Sequence, residues 1–234
     1  MSAFCFACFW TQGLITSWFD PTGVRVLEVA RFWSWLLLKT AGVKVHHEGL
    51  EKIQKDGIYV FVSNHLSLSD TPLMTAYLKP RFRFLAKDSL MKMPIIGGHL
   101  QRGKHIGVSR DDARSAAKSL SEAARSITSK EASILIFAEG TRGSGEELQS
   151  FRGGAAHLAI KTGATVIPIG LWGTPEALPK GAFLLRPATI GLVAGDPMPT
   201  AGLTAADRNR FTEALQEQVG KLRDRAQELG TARQ

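Results

Sequence analysis

Residues 57–78 read GIYVFVSNHLSLSDTPLMTAYL, and the way this stretch divides decides the fold. Ile58 to Val62 are β-branched or aromatic and uncharged, as in a strand buried on both faces. Ser67, Ser69 and Asp70 favour a turn, and Pro72 suits the first turn of a helix continuing through LMTAYL. Strand, bend and helix in succession are the first part of a βα crossover. The division also governs His65 and Asp70. In a continuous helix, residues five apart point about 140° away from each other, and in a strand they fall on opposite faces. They meet only if the chain bends between them. With the bend, His65 stands at the C-terminal end of a strand and Asp70 at a helix start, where α/β sheets hold their sites. Asp70 can then accept from one imidazole nitrogen and leave the other as a base. The same residues also fit a plainer arrangement, with Asp70 a helix cap and His65 a hydrogen-bonded loop residue.

The alternation continues along the chain. FRFLA (82–86), ASILIFA (132–138), ATVIPIGL (164–171) and ATIGLVA (188–194) read as further buried strands. Helices are expected over 72–79, 89–101, 111–128 and 152–162. A last helix follows Thr204 and Asp207, a capping pair, and carries Phe211, Leu215, Val219, Leu222 and Leu229 on one stripe. The expected fold is α/β: a single domain over 41–234, with a mainly parallel sheet flanked by helices.

The first forty residues differ. Trp10, Trp18, Trp33 and Trp35 are four of the five tryptophans, and five of the twelve phenylalanines also precede Lys39. Met1 to Phe19 carry no charge and lack a basic n-region or small-residue cleavage site, which argues against a signal peptide. As a helix this stretch falls short of a ~30 Å hydrocarbon core. After Asp20-Pro21, a second segment places Arg25, Glu28 and Arg31 among apolar and aromatic neighbours. Residues 1–40 therefore read as a membrane-associated helical hairpin lying in one leaflet, with tryptophan rings at headgroup depth. An apolar helix packed on the protein's own core is the alternative.

The net charge of +8 is concentrated: residues 51–110 hold ten Lys or Arg against four acidic residues. Such a stretch suits an anionic partner or a solvated basic face. The stacking aromatics and glycine signatures of common RNA-binding modules are missing, so nucleic acid is not expected. Cys5 and Cys8 are the only cysteines. They build no disulfide framework and no zinc site, so a reducing compartment and no metal are expected. No P-loop, dinucleotide fingerprint or G-x-S-x-G is present.

NHLSLSD (64–70), followed by EGTR beginning 75 residues after Asn64, resembles the glycerolipid acyltransferases, whose motifs are H-x-x-x-x-D and F-P-E-G-T-R in that order. FLAKDSLMKMPIIG (84–97), KHIGVSR (104–110), FRGGAAHLA (151–159) and TVIPIGL (165–171) are similar to other stretches of that family. The sequence departs from the family pattern at Ala138, where proline is usual, and at Gly107, Ser109 and Arg152. The resemblance implies transfer of a fatty acyl group from an acyl-CoA or acyl carrier protein thioester, with no cofactor, to the free hydroxyl of lysophosphatidic acid. It implies His65 as general base and Asp70 as its orienting carboxylate. Acceptor binding would fall to Arg110, Glu139, Gly140, Thr141, Arg142 and Lys104, with Glu139 orienting an arginine or a glycerol hydroxyl. Backbone N–H groups of the HLSLS turn are the expected oxyanion donors. A membrane surface is the expected partner, and its cytoplasmic face the expected location. Acylation of another lysolipid, such as a lyso-ornithine lipid, and a catalytically silent lipid-binding protein remain as alternatives.

Overall fold

The computed structural model describes residues 20, 22–93, 96–109, 112–143 and 147–232. Helix α1 (Val24–Thr40) leads into strand β1 (Lys44–Glu48). Residues 57–78 become β2 (Val60–Ser63), a turn, and α2 (Asp70–Tyr77). Then follow β3 (Phe82–Lys87), α3 (Asp88–Met91), α4 (Ile96–Arg102), β4 (Ile106–Val108), α5 (Ala113–Thr128) and β5 (Ser133–Phe137). The chain ends with α6 (Gly154–Thr162), β6 (Val166–Trp172), α7 (Thr174–Ala177), β7 (Thr189–Ala194) and α8 (Arg208–Thr231). The strands form one sheet in the order β1-β7-β6-β2-β5-β3-β4. All neighbours are parallel except β6 and β7, so β1 and β7 run opposite to the other five.

The apolar runs are explained by burial on both sides. Every residue of β2 and β7 is buried. Because side chains alternate along a strand, Phe61 and Leu135 enter a core layer with Leu27 and Leu38 of α1 and Leu73 and Met74 of α2. Val60, Val62, Ile134 and Ile136 enter the opposite layer with α5, α6 and α8. Phe211, Leu215 and Val219 of the expected C-terminal stripe are buried there. Further along, α8 lies so close to the sheet that its neighbours must be glycine. A Cβ on Gly170 would collide with the backbone of Leu222 and Arg223, and one on Gly191 with the Ala226 carbonyl. The Thr204–Asp207 capping box forms as read, over a short 3₁₀ turn that feeds α8.

Two strands escaped the sequence reading, and both are sheet edges. β1 is KVHHE, pairs only with β7 and buries none of its residues; β4 has three residues and pairs only with β3. An edge strand needs one neighbour and half the burial, so neither length nor apolar content marks it. The helix expected over 89–101 is two pieces, α3 and α4.

Of the expected N-terminal hairpin, residues 1–19 lie outside the described residues. The second arm, α1, packs on α2 and buries Val26, Leu27 and Leu38, as in the alternative reading. Arg31 does not join a solvated face: its guanidinium donates to the carbonyls of Leu78, Lys79 and Pro80, just beyond the end of α2. Phe32 and Trp35 nevertheless remain exposed. No helix among the described residues is long and apolar enough to cross a membrane.

Candidate active site

Beyond Ser63 the backbone leaves the sheet, and the buried Asn64 side chain continues the pairing. Its amide donates to the Leu171 carbonyl at 2.9 Å and accepts from the Leu171 N–H at 2.8 Å. This anchors the turn that follows. The turn folds back so that Asp70, the first residue of α2, meets His65: Nδ1 lies 2.7 Å from Asp70 Oδ2. The same oxygen accepts from the Leu66 and Ser67 N–H groups at 2.7 and 2.9 Å. Asp70 is thus both the turn's organising acceptor and the imidazole's partner; it does not cap α2, whose N-cap position is Ser69 with no side-chain cap bond, because its carboxylate reaches back to the Leu66 and Ser67 amides. Since a carboxylate only accepts, the shared proton belongs to Nδ1, leaving Nε2 as the unprotonated nitrogen. The Asp70 side chain is fully buried while 14% of the His65 side-chain surface is open, so the base is reachable and its carboxylate is not. Phe137 stacks on the His65 ring at a centroid distance of 4.1 Å.

The EGTR segment sits directly after β5, the neighbour of β2. Glu139 Oε1 accepts from the His65 N–H at 2.7 Å and Oε2 from the Gln149 N–H at 3.1 Å. The Gly143 N–H returns to the His65 carbonyl at 2.8 Å. Glu139 therefore ties the two motif loops together through backbone amides, a role that the sequence reading of it as the partner of an arginine or glycerol hydroxyl did not include. Burial pushes its pKa up, against the lowering effect of those two hydrogen bonds. Gly140 has φ 75°, and a Cβ there would press on the Arg152 side chain, so the turn requires glycine. Thr141 donates its hydroxyl to Gln149 Oε1 at 2.9 Å.

The expected oxyanion donors of the HLSLS turn narrow to the Leu68 N–H, which makes no hydrogen bond among the described residues, since the His65 N–H is held by Glu139 and the rest are committed as follows. The Leu66 and Ser67 N–H groups are committed to Asp70, and Ser69 N–H to Ser67 Oγ. The amides of Thr141 and Arg142 make no hydrogen bond among the described residues, and both residues line the neighbouring cavity. Ser67 and Ser69 are also committed, donating their hydroxyls to the carbonyls of Leu178 and Thr174.

That cavity, of about 560 Å³, is bounded by Leu66, Ser67, Thr141, Arg142 and Gly143 on one side, and by Pro175, Leu178 and Lys180 on the other. Arg142 is exposed in it, and no carboxylate among the described residues pairs with it. Lys180, which no motif marks, brings a second cation from the loop after α7. Arg110 lies outside the described residues. Lys104 stands exposed in the turn before β4 with φ 57°, against Gly23, and shares no hydrogen bond with the His65 cluster. A second crevice of about 170 Å³ is lined mostly by apolar residues, among them Leu85, Val108, Leu120 and Ile136, with Ser109 and Arg152 as its polar members, and shares Phe137 with the histidine. No cluster of metal-ligating side chains occurs among the described residues.

Residues 44–172, which carry β2, the His65 turn and the EGTR loop, match the protein family described as Acyltransferase. This chain belongs to the acyltransferase family. It is 31% identical over 187 residues to a 1-acyl-sn-glycerol-3-phosphate acyltransferase of Pseudomonas aeruginosa, covering 79% of this chain and 72% of that one. It is 32% identical over 183 residues to the acyltransferase of the same name from Limnanthes alba, covering 78% of this chain but only 64% of that relative's length. Among solved structures it resembles the 1-acyl-sn-glycerophosphate (LPA) acyltransferase PlsC of Thermotoga maritima, with a TM-score of 0.77 and 26% identity over 94% of this chain and 87% of that one. Membership accounts for the family motifs that follow β2 and β5. Asn64, Phe137, Gln149 and Lys180 are supporting residues that the motif reading left unassigned. Asn64 directly precedes the first motif and Phe137 is the opening phenylalanine of the second, whereas Lys180 lies 38 residues beyond Arg142 in sequence.

Proposed function

We propose that this chain transfers a fatty acyl group from an acyl thioester to the free hydroxyl of lysophosphatidic acid, giving phosphatidic acid. One observation carries the reading: a reachable imidazole, partnered by a buried carboxylate at 2.7 Å, beside a cavity lined by an exposed arginine that pairs with no carboxylate among the described residues. In this mechanism His65 Nε2 takes the acceptor's hydroxyl proton as its oxygen attacks the thioester carbonyl. Asp70 stabilises the imidazolium that forms. The new C–O bond replaces the C–S bond, and the proton returns from the imidazolium to the departing thiolate. The uncommitted Thr141 and Arg142 amides donate to the developing oxyanion. The acceptor's phosphate pairs with Arg142, helped by Lys180.

Both serines of the turn are buried and bonded to carbonyls, which supports direct transfer in a ternary complex over a serine ester. The names of the relatives support a lysophosphatidic acid acceptor. The donor is an acyl-CoA or an acyl carrier protein thioester. The deciding experiment offers both labelled donors to the purified chain with lysophosphatidic acid, uncharged lysolipids and lyso-ornithine lipid. Turnover confined to a phosphate-free acceptor rejects the assignment.

A further inference from the structure

The loop between α7 and β7 contains Phe183-Leu184-Leu185, three apolar residues in a row. Its base is closed by the Arg186 N–H donating to the Ala177 carbonyl, and by Arg186 Nε donating to Glu176 O. Leu185 turns inward against the core. Phe183 and Leu184 turn outward and are 97% and 69% exposed, the two highest values among the exposed large hydrophobic side chains. Neither strand nor helix geometry imposes this. Lys180 and Arg186 flank the pair, and from Ala177 to Gly195 the chain has no acidic residue.

The position of this loop matters as much as its composition. β6 ends and β7 begins at the C-terminal end of the five parallel strands, which is the end that carries His65. The other large hydrophobic side chains exposed among the described residues lie on segments that connect at the same end. Leu68 is in the His65 turn, Met93 and Ile96 follow β3, and Phe32 and Trp35 are on α1, which enters β1 there. Pro187, at the foot of the loop, packs against Gly42 just past the end of α1. The outer faces of α5, α6 and α8 expose no large hydrophobic side chain among the described residues. Exposed apolar side chains gathered at one end and rimmed by cations fit the boundary between anionic headgroups and acyl chains.

We propose that the 178–187 loop is a membrane-docking finger: Phe183 and Leu184 enter an anionic bilayer, with Lys180 and Arg186 at phosphate level. Leu178 and Lys180 also line the cavity beside Arg142, so docking sets the cavity mouth against the lipid surface. The docking rests on exposure, charge and position alone. Its use, passing a lysolipid into the cavity without crossing water, rests on the acyl-transfer reading above.

The test reads the loop locally. In the full chain with Cys5→Ser and Cys8→Ser, an environment-sensitive fluorophore is attached at Phe183→Cys, and in a control at Ser121→Cys on the exposed face of α5. On adding phosphatidylcholine vesicles with phosphatidylglycerol, position 183 should brighten and shift to the blue while position 121 stays unchanged. Lys180→Ser/Arg186→Ser should weaken that response roughly tenfold. An unchanged signal at 183, or one that responds to acyl carrier protein and not to vesicles, overturns the proposal. The activity arm is separate: Phe183→Ser/Leu184→Ser should keep turnover of a soluble short-chain lysophosphatidic acid and lose roughly tenfold or more on the vesicle-embedded acceptor. Insertion without turnover of any acceptor would reject the acyl-transfer reading and leave the finger standing. Equal turnover of both acceptors by this variant would reject the finger's role in delivery.

Discussion

Replacing Asp70 by asparagine isolates the charge from the shape of the His65 pair. The introduced side chain can place its Oδ1 where Asp70 Oδ2 now accepts from Leu66 and Ser67, at 2.7 and 2.9 Å, so the turn survives. What is lost is the negative charge facing the imidazolium formed as the acceptor is deprotonated. Two unit charges about 4 Å apart attract by about 4 kcal/mol at an effective dielectric constant of about 20. The full burial of Asp70 limits further screening. At about 1.36 kcal/mol per decade this predicts a loss of about 10³ in kcat/KM. If the introduced amide instead turns its nitrogen towards His65, the tautomer reverses and Nε2 carries the proton, which removes the base altogether. Either orientation gives a large fall. Thiol release from the acyl donor measures the rate, and thermal unfolding measures the fold, with a loss of Tm below about 8 °C expected. His65→Ala should abolish activity, and adding Asp70→Asn to it should cost nothing more, because the two act as one unit. Retention of over a tenth of the parent kcat/KM by a folded Asp70→Asn protein would refute the role given to this carboxylate.

Arg142→Ala should weaken use of lysophosphatidic acid by about 1.5 to 3 kcal/mol, the worth of a charge-assisted hydrogen bond, and leave a phosphate-free acceptor nearly unaffected; equal losses on both would assign Arg142 to the donor or the fold. Ser69→Ala should cost about 1 kcal/mol of stability through its lost bond to the Thr174 carbonyl, yet keep most activity, and mass measurement after incubation with donor alone should find no acylated protein. Deleting residues 1–19 should reduce pelleting with anionic vesicles at little cost in Tm, whereas deleting 1–40 uncovers the partners of Val26, Leu27 and Leu38 and should cost roughly 3 kcal/mol or more; unchanged pelleting of the shorter deletion would remove the N-terminal segment from membrane binding. His105 accepts from the Phe84 N–H at 3.0 Å, and burial, with smaller contributions from His99 and Arg83, pushes its pKa down to about 3. A depressed histidine pKa gives stability that is present above the unfolded value of 6.5 and lost as pH falls towards 3. His105→Asn keeps an acceptor without the titration, so its Tm deficit against the parent should shrink between about pH 7 and pH 4; parallel curves would show that His105 does not carry the acid limb.

The sequence by itself determined the parts that depend on local chemistry. Val60–Ser63, Ser133–Phe137 and Val166–Trp172 are legible because a strand buried on both faces admits almost nothing but apolar residues. The meeting of His65 and Asp70 is legible because turn formers and Pro72 impose the bend that joins them, and the two motifs name the family. The tertiary structure alone decided what depends on which surfaces face each other. β1 and β4 are too polar or too short to announce themselves, and exist because β7 and β3 offer them an edge. Glu139 reads as the partner of an arginine or a glycerol hydroxyl, and only the fold sets it between the His65 and Gln149 amides. Arg31 reads only as a cation among apolar neighbours until the fold brings the carbonyls of Leu78, Lys79 and Pro80 to it. Lys180 joins Arg142 only because β6 lies beside β2, so that the loops leaving their ends share one cavity. A strand's composition records whether it is buried, whereas a polar side chain's role is set by the partner that long-range packing brings to it, and that partner leaves no mark in the neighbouring sequence.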